Sequence, residues 1–164
     1  MQERKLMEMV EAAGTIAIVG HVRPDGDCVG SCLAVCNYIT EQYPEKTVDV
    51  YLETPPVKFS YLKQFERISS DSNTGKQYEL CICLDSGDRE RLGNNVVYLD
   101  TAKTSICIDH HITNKGYAAS NFVNASASAT CEFLYDFLDE EKISKEVAEC
   151  IYTGIIHDTN VFKN

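Results

Sequence analysis

The sequence predicts an α/β protein, with an open, mainly parallel sheet covered by helices on both faces. Three observations predict it. Short apolar runs suited to strands alternate along the chain with stretches of helical periodicity, the pattern of a helix-covered parallel sheet. One run, Leu80-Cys81-Ile82-Cys83-Leu84, is apolar at every position, as a strand covered on both sides should be. Three of the runs also end in Asp or His, at the carboxyl edge where open α/β sheets collect ligands. At 164 residues the chain is long enough for one domain with a real core.

Taken in order, Gln2 to Ala13 carries Leu6, Met9 and Val10 on one helical stripe, with Gly14 as its stop. Thr15 to Val19 is the first strand. The next helix runs from Asp27 to about Gln42, its apolar positions Val29, Cys32, Leu33, Cys36 and Ile39 following helical spacing. Thr47 to Leu52 is a second strand. Between Glu53 and Lys76 lie Pro55-Pro56, then Phe59, Leu62 and Phe65 at helical spacing, then a polar loop from Ser69. Leu80–Leu84 is the third strand. Val96-Val97-Tyr98-Leu99 suits a strand or a short helix, and a helix is the reading adopted. Ser105 to Ile108 is the fourth strand, followed by a loop with Asn114 and Gly116. A helix is expected over about Ala127 to Leu138. The last begins near Ser144, an N-cap, and is expected to bury Val147, Ala148, Ile151, Tyr152 and Ile155.

Composition narrows the function. A formal net charge of -10 and a pI near 4.8 argue against broad binding to long nucleic acid. A short phosphorylated substrate stays open, because bound cations would invert the local charge. The amino terminus is charged and leads into no apolar signal segment, and no stretch approaches the ~20 apolar residues of a membrane span. The expectation is a cytoplasmic protein without membrane partners. Eight cysteines form no paired C-x-x-C motif, so they read as reduced core thiols rather than a zinc ribbon.

The chemistry gathers at the strand ends. Strand one leads into His21-Val22-Arg23-Pro24-Asp25-Gly26-Asp27, strand three into Asp85, and strand four into Asp109-His110-His111, while the closing helix runs into Asp158. An Asp after a strand is often no more than a helix cap. Carboxylates and histidines repeated at successive strand ends point instead to a metal centre. Two close carboxylates repel unless a cation sits between them. Carboxylates with a minority of imidazoles select Mn²⁺ or Mg²⁺, and the ligand supply exceeds what one ion needs. Two ions about 3.5–4 Å apart would activate a bridging water against a phosphoester.

The set H-x-x-P-D-G-D-x-x-G-S at His21–Ser31, the strand-end Asp85, Asp109-His110-His111 and Asp158-Thr159 is similar to the four motifs of the DHH phosphoesterase superfamily. Ile108 to Asn114, with Ala129-Thr130-Cys131-Glu132, resembles the branch holding nanoRNases and 3′-phosphoadenosine 5′-phosphate phosphatases. It looks less like the exonuclease branch or the family II pyrophosphatases. The resemblance implies a Rossmann-like DHH domain over residues 1–164 that binds metal and catalyses. One Mn²⁺ (or Mg²⁺) would be held by His21, Asp25 and Asp85, the second by Asp27, Asp85, His110 and Asp158. It implies that His111 contacts substrate phosphate or acts as leaving-group acid, with Asp109 orienting a histidine. Ser31, Arg89, Arg91 and Asn114 are the expected substrate contacts, and Gly26 and Gly30 would permit close backbone approach.

The implied activity is hydrolysis of short oligoribonucleotides, linear dinucleotides, or 3′-phosphoadenosine 5′-phosphate. Alternatives are a cyclic-dinucleotide phosphodiesterase, a pyrophosphatase, or an idle module that binds metal or nucleotide. A homodimer is among the assemblies left open. Two departures from the family pattern stand out. Asn160 occupies the place where this branch has glycine after Asp-Thr, and the chain stops at Asn164 with no match to the glycine-rich motif of the second, DHH-associated domain. The expectation is therefore the metal domain without its substrate domain.

Overall fold

The computed structural model describes residues 2–161 and 163. Its sheet has six parallel strands: β1 (Thr15–Val19), β2 (Thr47–Tyr51), β3 (Ile68–Ser69), β4 (Leu80–Leu84), β5 (Thr104–Asp109) and β6 (Ser120–Val123). They lie in the order β3-β2-β1-β4-β5-β6. The chain starts at the centre, builds outward through β2 and β3, then returns to place β4 against the other side of β1. Loops leaving β1 and β4 therefore diverge from adjacent strands, and the crevice between them is where this topology admits ligands.

Alternation divides the strand residues between two layers. Ile16, Ile18, Val48, Val50, Leu80, Ile82, Leu84, Ile106 and Ile108 pack with residues of α1 (Gln2–Ala12), α2 (Gly26–Gln42), α4 (Thr130–Leu134) and α5 (Lys145–Asp158). Ala17, Val19, Tyr51, Cys81, Cys83 and Cys107 face the other way, against Leu92 and against Tyr98 and Leu99 of α3 (Val96–Thr101). Both faces are covered, but by unequal layers. On the thinner side tyrosines supply much of the cover: the Tyr51 and Tyr98 rings stack 3.8 Å apart, and the Tyr51 and Tyr78 hydroxyls hydrogen-bond beside Asp49.

Helix α2 is buried from Gly26 to Ile39 because α5 lies across the side it turns away from the sheet. Glycines set how closely the two helices approach. A Cβ on Gly30 would stand 2.5 Å from the Cys150 carbonyl oxygen, and one on Gly26 would strike the His157 ring. Truncating a buried residue here, such as Leu33→Ala, should cost about 2–5 kcal/mol. Ser144 does cap α5, accepting the Val147 amide at 3.2 Å. The eight cysteines are all unpaired and buried. Among the described residues no helix is long and apolar enough to cross a membrane.

Several expected elements differ. Strands β3 and β6 are additional to the four expected; one is two residues long, and the other is an edge strand with Asn121 and Val123 exposed. The helix expected over Ala127 to Leu138 is only α4, followed by a 3-10 turn at Tyr135–Phe137. Its start is fixed at Thr130 by bonds to a distant carboxylate, described below. Phe59 and Phe65 lie on two isolated 3-10 turns, Val57–Phe59 and Phe65–Arg67, with Leu62 in the bend between them and a left-handed backbone at Gln64 (φ 68). On α5, Ala148 is exposed and Tyr152 is 59% exposed, because α2 covers a stripe that includes only Val147, Cys150, Ile151, Thr153 and Gly154.

Candidate metal centre

The carboxyl ends of β1, β4 and β5 bring the expected ligands together. After β1 the chain turns at His21, whose ring Nδ1 donates to the Val22 carbonyl at 2.7 Å and whose Nε2 faces Asp25 and Asp85. Asp25 then caps α2, its Oδ1 accepting the Cys28 amide at 3.0 Å, and Asp27 enters the helix's first turn. Asp85, just beyond β4, has a left-handed backbone (φ 58). Such a conformation is uncommon outside glycine, though Asp and Asn tolerate it, and strained residues of this kind concentrate at functional sites.

Asp85 joins two groups of donors. Its Oδ2 lies 3.4 Å from His21 Nε2, which is 3.6 Å from Asp25 Oδ1. Its Oδ1 lies 3.6 Å from His110 Nε2, which is also 3.6 Å from Asp27 Oδ2 and 3.1 Å from Asp158 Oδ2. His110 turns Nε2 inward because Nδ1 faces the Ala127 carbonyl at 3.3 Å. Asp27 is fully buried and held from behind: its oxygens accept the amides of Thr130 and Cys131 at 2.8 and 2.9 Å. The Thr130 hydroxyl donates to Asp85 Oδ1 at 2.9 Å. Thr130 belongs to the stretch that resembles the nanoRNase branch, a resemblance that assigns it no role. Its contact partners are more than forty residues away, which no local pattern encodes.

Charge is concentrated in this small volume. Burial raises Asp27 well above the usual carboxylate range, and the Asp85 and Asp158 carboxylates raise it further, outweighing the two amides. For Asp25 burial works upward, but His21 and the Cys28 amide prevail and hold it near 2. Burial works against the His110 imidazolium, yet the bond to Asp158 and the surrounding carboxylates lift it to about 9. His21 is raised for the same reason, by Asp25 and Asp85. These are the responses of an acidic cluster in want of positive charge. The donors suit a cation, and groups drawn from them lie with their ligand atoms mutually within 4.8 Å: Asp27, His110 and Asp158, and Asp85, His110 and His111.

Around this cluster the remaining residues sort themselves. Asp109 accepts His111 Nδ1 at 2.6 Å on one oxygen and Asn114 Nδ2 at 2.9 Å on the other. The bond to Asp109 raises the His111 pKa, and this ring is 44% exposed. Arg91 lines a cleft of about 150 Å³ with Asp85, Gly87, Asp88, His111 and Thr113. Larger grooves, of about 480 and 400 Å³, contain none of these residues.

Three expected substrate contacts have partners within the chain. Ser31 is buried, its hydroxyl donating to the Cys28 carbonyl at 3.2 Å within the helix. Arg89 is clamped by both oxygens of Asp100, at 2.5 and 3.0 Å. Asn114 spends its amide on Asp109 and the Ser86 carbonyl, and its oxygen on the Gly116 amide. The role expected of Gly26 and Gly30 also moves, from turn to helix packing. Asn160 has a left-handed backbone (φ 48), which explains why glycine suits that place and why asparagine can stand in.

Comparison with known proteins adds an independent line. Residues 15–155 match the DHH family, N-terminal domain. The chain is 32% identical over 163 residues to the probable bifunctional oligoribonuclease and PAP phosphatase NrnA of Streptococcus mutans, covering 97% of this chain and 50% of that protein. It is 31% identical to the bifunctional oligoribonuclease and PAP phosphatase NrnA of Bacillus subtilis, covering 96% and 50%. The crystal structure of an exopolyphosphatase-related protein from Bacteroides fragilis superposes with a TM-score of 0.89 at 26% identity, over 99% of this chain and 51% of the other. The chain thus spans about half the length of the curated relatives it matches. With its doubly wound sheet and its acidic, histidine-bearing strand ends, the chain belongs to the DHH family.

Proposed function

We propose that residues 1–164 form the metal-binding catalytic domain of a phosphoester hydrolase acting on linear dinucleotides and other very short oligoribonucleotides, on 3′-phosphoadenosine 5′-phosphate, or on both. The observation that carries the reading is the division of Asp85: one oxygen faces His21, the other His110. A carboxylate placed this way can serve two cations at once. His21, Asp25 and Asp85 would hold one; Asp27, Asp85, His110 and Asp158 the other. The donor set, oxygen-rich with two imidazoles, fits Mn²⁺ and also Mg²⁺. When bound, such a pair supplies water activation and charge neutralisation at phosphorus.

The chain's own residues account for the rest. Asp109 holds the Nδ1 proton of His111, so the protonated ring can deliver its other proton, from Nε2, to the leaving oxygen. Arg91, whose guanidinium also lies 3.4 Å from His21 Nδ1, lines the cleft beside Asp85, where a phosphate's charge would be met. Asn114 acts through Asp109 as a positioning residue. A second, substrate-holding domain is the proposed complement, since positioning supplies much of catalysis. The buried reduced thiols support a cytoplasmic setting.

The test is Mn²⁺-dependent release of mononucleotide from a linear dinucleotide, and of phosphate from 3′-phosphoadenosine 5′-phosphate, by the full-length protein. Turnover of either substrate that Asp85→Ala abolishes is the expected result. Cleavage of only a cyclic dinucleotide or pyrophosphate would reject the substrate assignment.

A further inference from the structure

The His21 half of the centre has an inner wall that the ligand set above leaves unused. Cys28 lies on the first turn of α2, three residues past the capping Asp25, and is completely buried. Its sulfur, a His21 ring nitrogen and an Asp85 carboxylate oxygen all lie within 4.8 Å of one another. Bonds from Zn²⁺ to nitrogen, oxygen and sulfur run about 2.0–2.3 Å, so donors sharing one ion stand within roughly twice that distance. His21, only 5% exposed, turns Nε2 to the carboxylates of Asp25 and Asp85 because Nδ1 is bound to Val22.

The sulfur is held in place from several sides. A Cβ on Gly20 would come within 2.4 Å of it, so the missing side chain between β1 and His21 provides its space. The Cys28 amide is bound by Asp25, and the sulfur lies 4.0 Å from the His21 carbonyl oxygen. Cys28 is thus tied to two members of that half-site, Asp25 and His21. Cys131, in the other half, likewise directs its thiol at carbonyl oxygens, those of Asp27 and Cys150. Among the described residues Cys28 is the one thiol that joins a group of potential metal donors.

We infer that Cys28 is a soft donor to the His21 half-site, giving that half a nitrogen, oxygen and sulfur set that takes thiophilic divalent ions such as Zn²⁺ and Cd²⁺. The His110 half, with one imidazole and three carboxylates, keeps to harder ions. The inference rests on the two-cation reading of Asp85 proposed above. On binding, the S–H bond breaks, its proton passes to the buffer, and the sulfur's electron pair forms the bond to the ion.

The experiment titrates the reduced, full-length protein with Cd²⁺ alone, reading the ultraviolet sulfur-to-cadmium charge-transfer band, and separately with Mn²⁺, reading loss of the free-ion electron paramagnetic resonance signal. The wild type should develop the band and saturate at one thiolate-bound ion per chain. Cys28→Ala and Cys28→Ser should abolish it, with Cd²⁺ affinity falling on the order of tenfold or more, while Cys36→Ala keeps it. Mn²⁺ bound by the wild type with no cadmium band, or a band that persists in Cys28→Ala, would overturn the inference and leave the two-cation reading standing. Binding of neither ion would remove both. Should the Cys28 variants fail to fold, cadmium NMR of the wild type decides: a resonance in the thiolate range supports the inference, and one in the nitrogen and oxygen range refutes it.

Discussion

The two halves of the acidic cluster are assembled in different ways. The His21 half comes mostly from one turn: His21 and Asp25 belong to the same few residues after β1, and only Asp85 arrives from elsewhere. Asp25 is 56% exposed and shares its oxygen with the cap of α2. The His110 half draws Asp27, Asp85, His110 and Asp158 from four separate segments, and its central carboxylate is locked by the first amides of α4. The contrast teaches that one half is a local motif resting on a helix start, while the other is part of the tertiary structure. Disturbing the first should alter the site; disturbing the second should alter the fold as well.

The largest effect should come where the halves meet. Asp85→Ala removes a donor from both, so Mn²⁺ affinity and hydrolysis should each fall by about a hundredfold or more, measured by calorimetric titration and initial rates. Asp85→Asn, which tolerates the left-handed backbone, separates the loss of charge from the loss of conformation. Equal losses in both variants would assign the effect to charge.

Next comes Asp27→Ala, which strands the buried Thr130 and Cys131 amides. With Mn²⁺ present the variant should lose about 1–3 kcal/mol of stability for each unmet donor, read from denaturant unfolding. Without metal the loss should be smaller, because deleting Asp27 also relieves its repulsion with Asp85 and Asp158. An equal loss in both conditions would show that the cluster's charge contributes nothing.

The imidazoles give a pH dependence of intermediate size. His110 is raised from 6.5 to about 9, so in the metal-free protein its protonated form adds stability that is fully present below pH 6.5. That contribution is lost as pH rises through about 9. The metal-free melting temperature should therefore fall across this window, while Mn²⁺ affinity rises as the competing proton leaves. Asp25→Ala should produce the smallest change: a lost cap worth about 0.5–2 kcal/mol, and weakened binding in one half alone.

The same contrast explains what could be read from the chain. Strands β1, β4 and β5 and the donors at their ends were legible, because buried parallel strands are continuous apolar runs and their terminal Asp and His residues stand out against them. His21, Asp25 and Asp27 fall within seven residues, so their proximity needed no fold. The short β3 and the edge strand β6 lack a pattern that separates them from loops. Helix α4 begins where Asp27 binds its amides, a constraint that arises 103 residues away and leaves no trace in local periodicity. Ser31, Arg89 and Asn114 have side chains suited to phosphate, and only the fold revealed their internal partners. His110 and Asp158 could be named from their strand-end and helix-end positions, whereas the Thr130 bond to Asp85 could not.

The central claim is that one carboxylate serves two cations. It is tested most directly by counting Mn²⁺ bound per chain in the full-length protein, wild type and Asp85→Asn, by calorimetric titration. The account predicts two ions in the wild type and loss of affinity at both sites in the variant. A single ion in the wild type, or a variant that loses one site and keeps the other at full affinity, would contradict it.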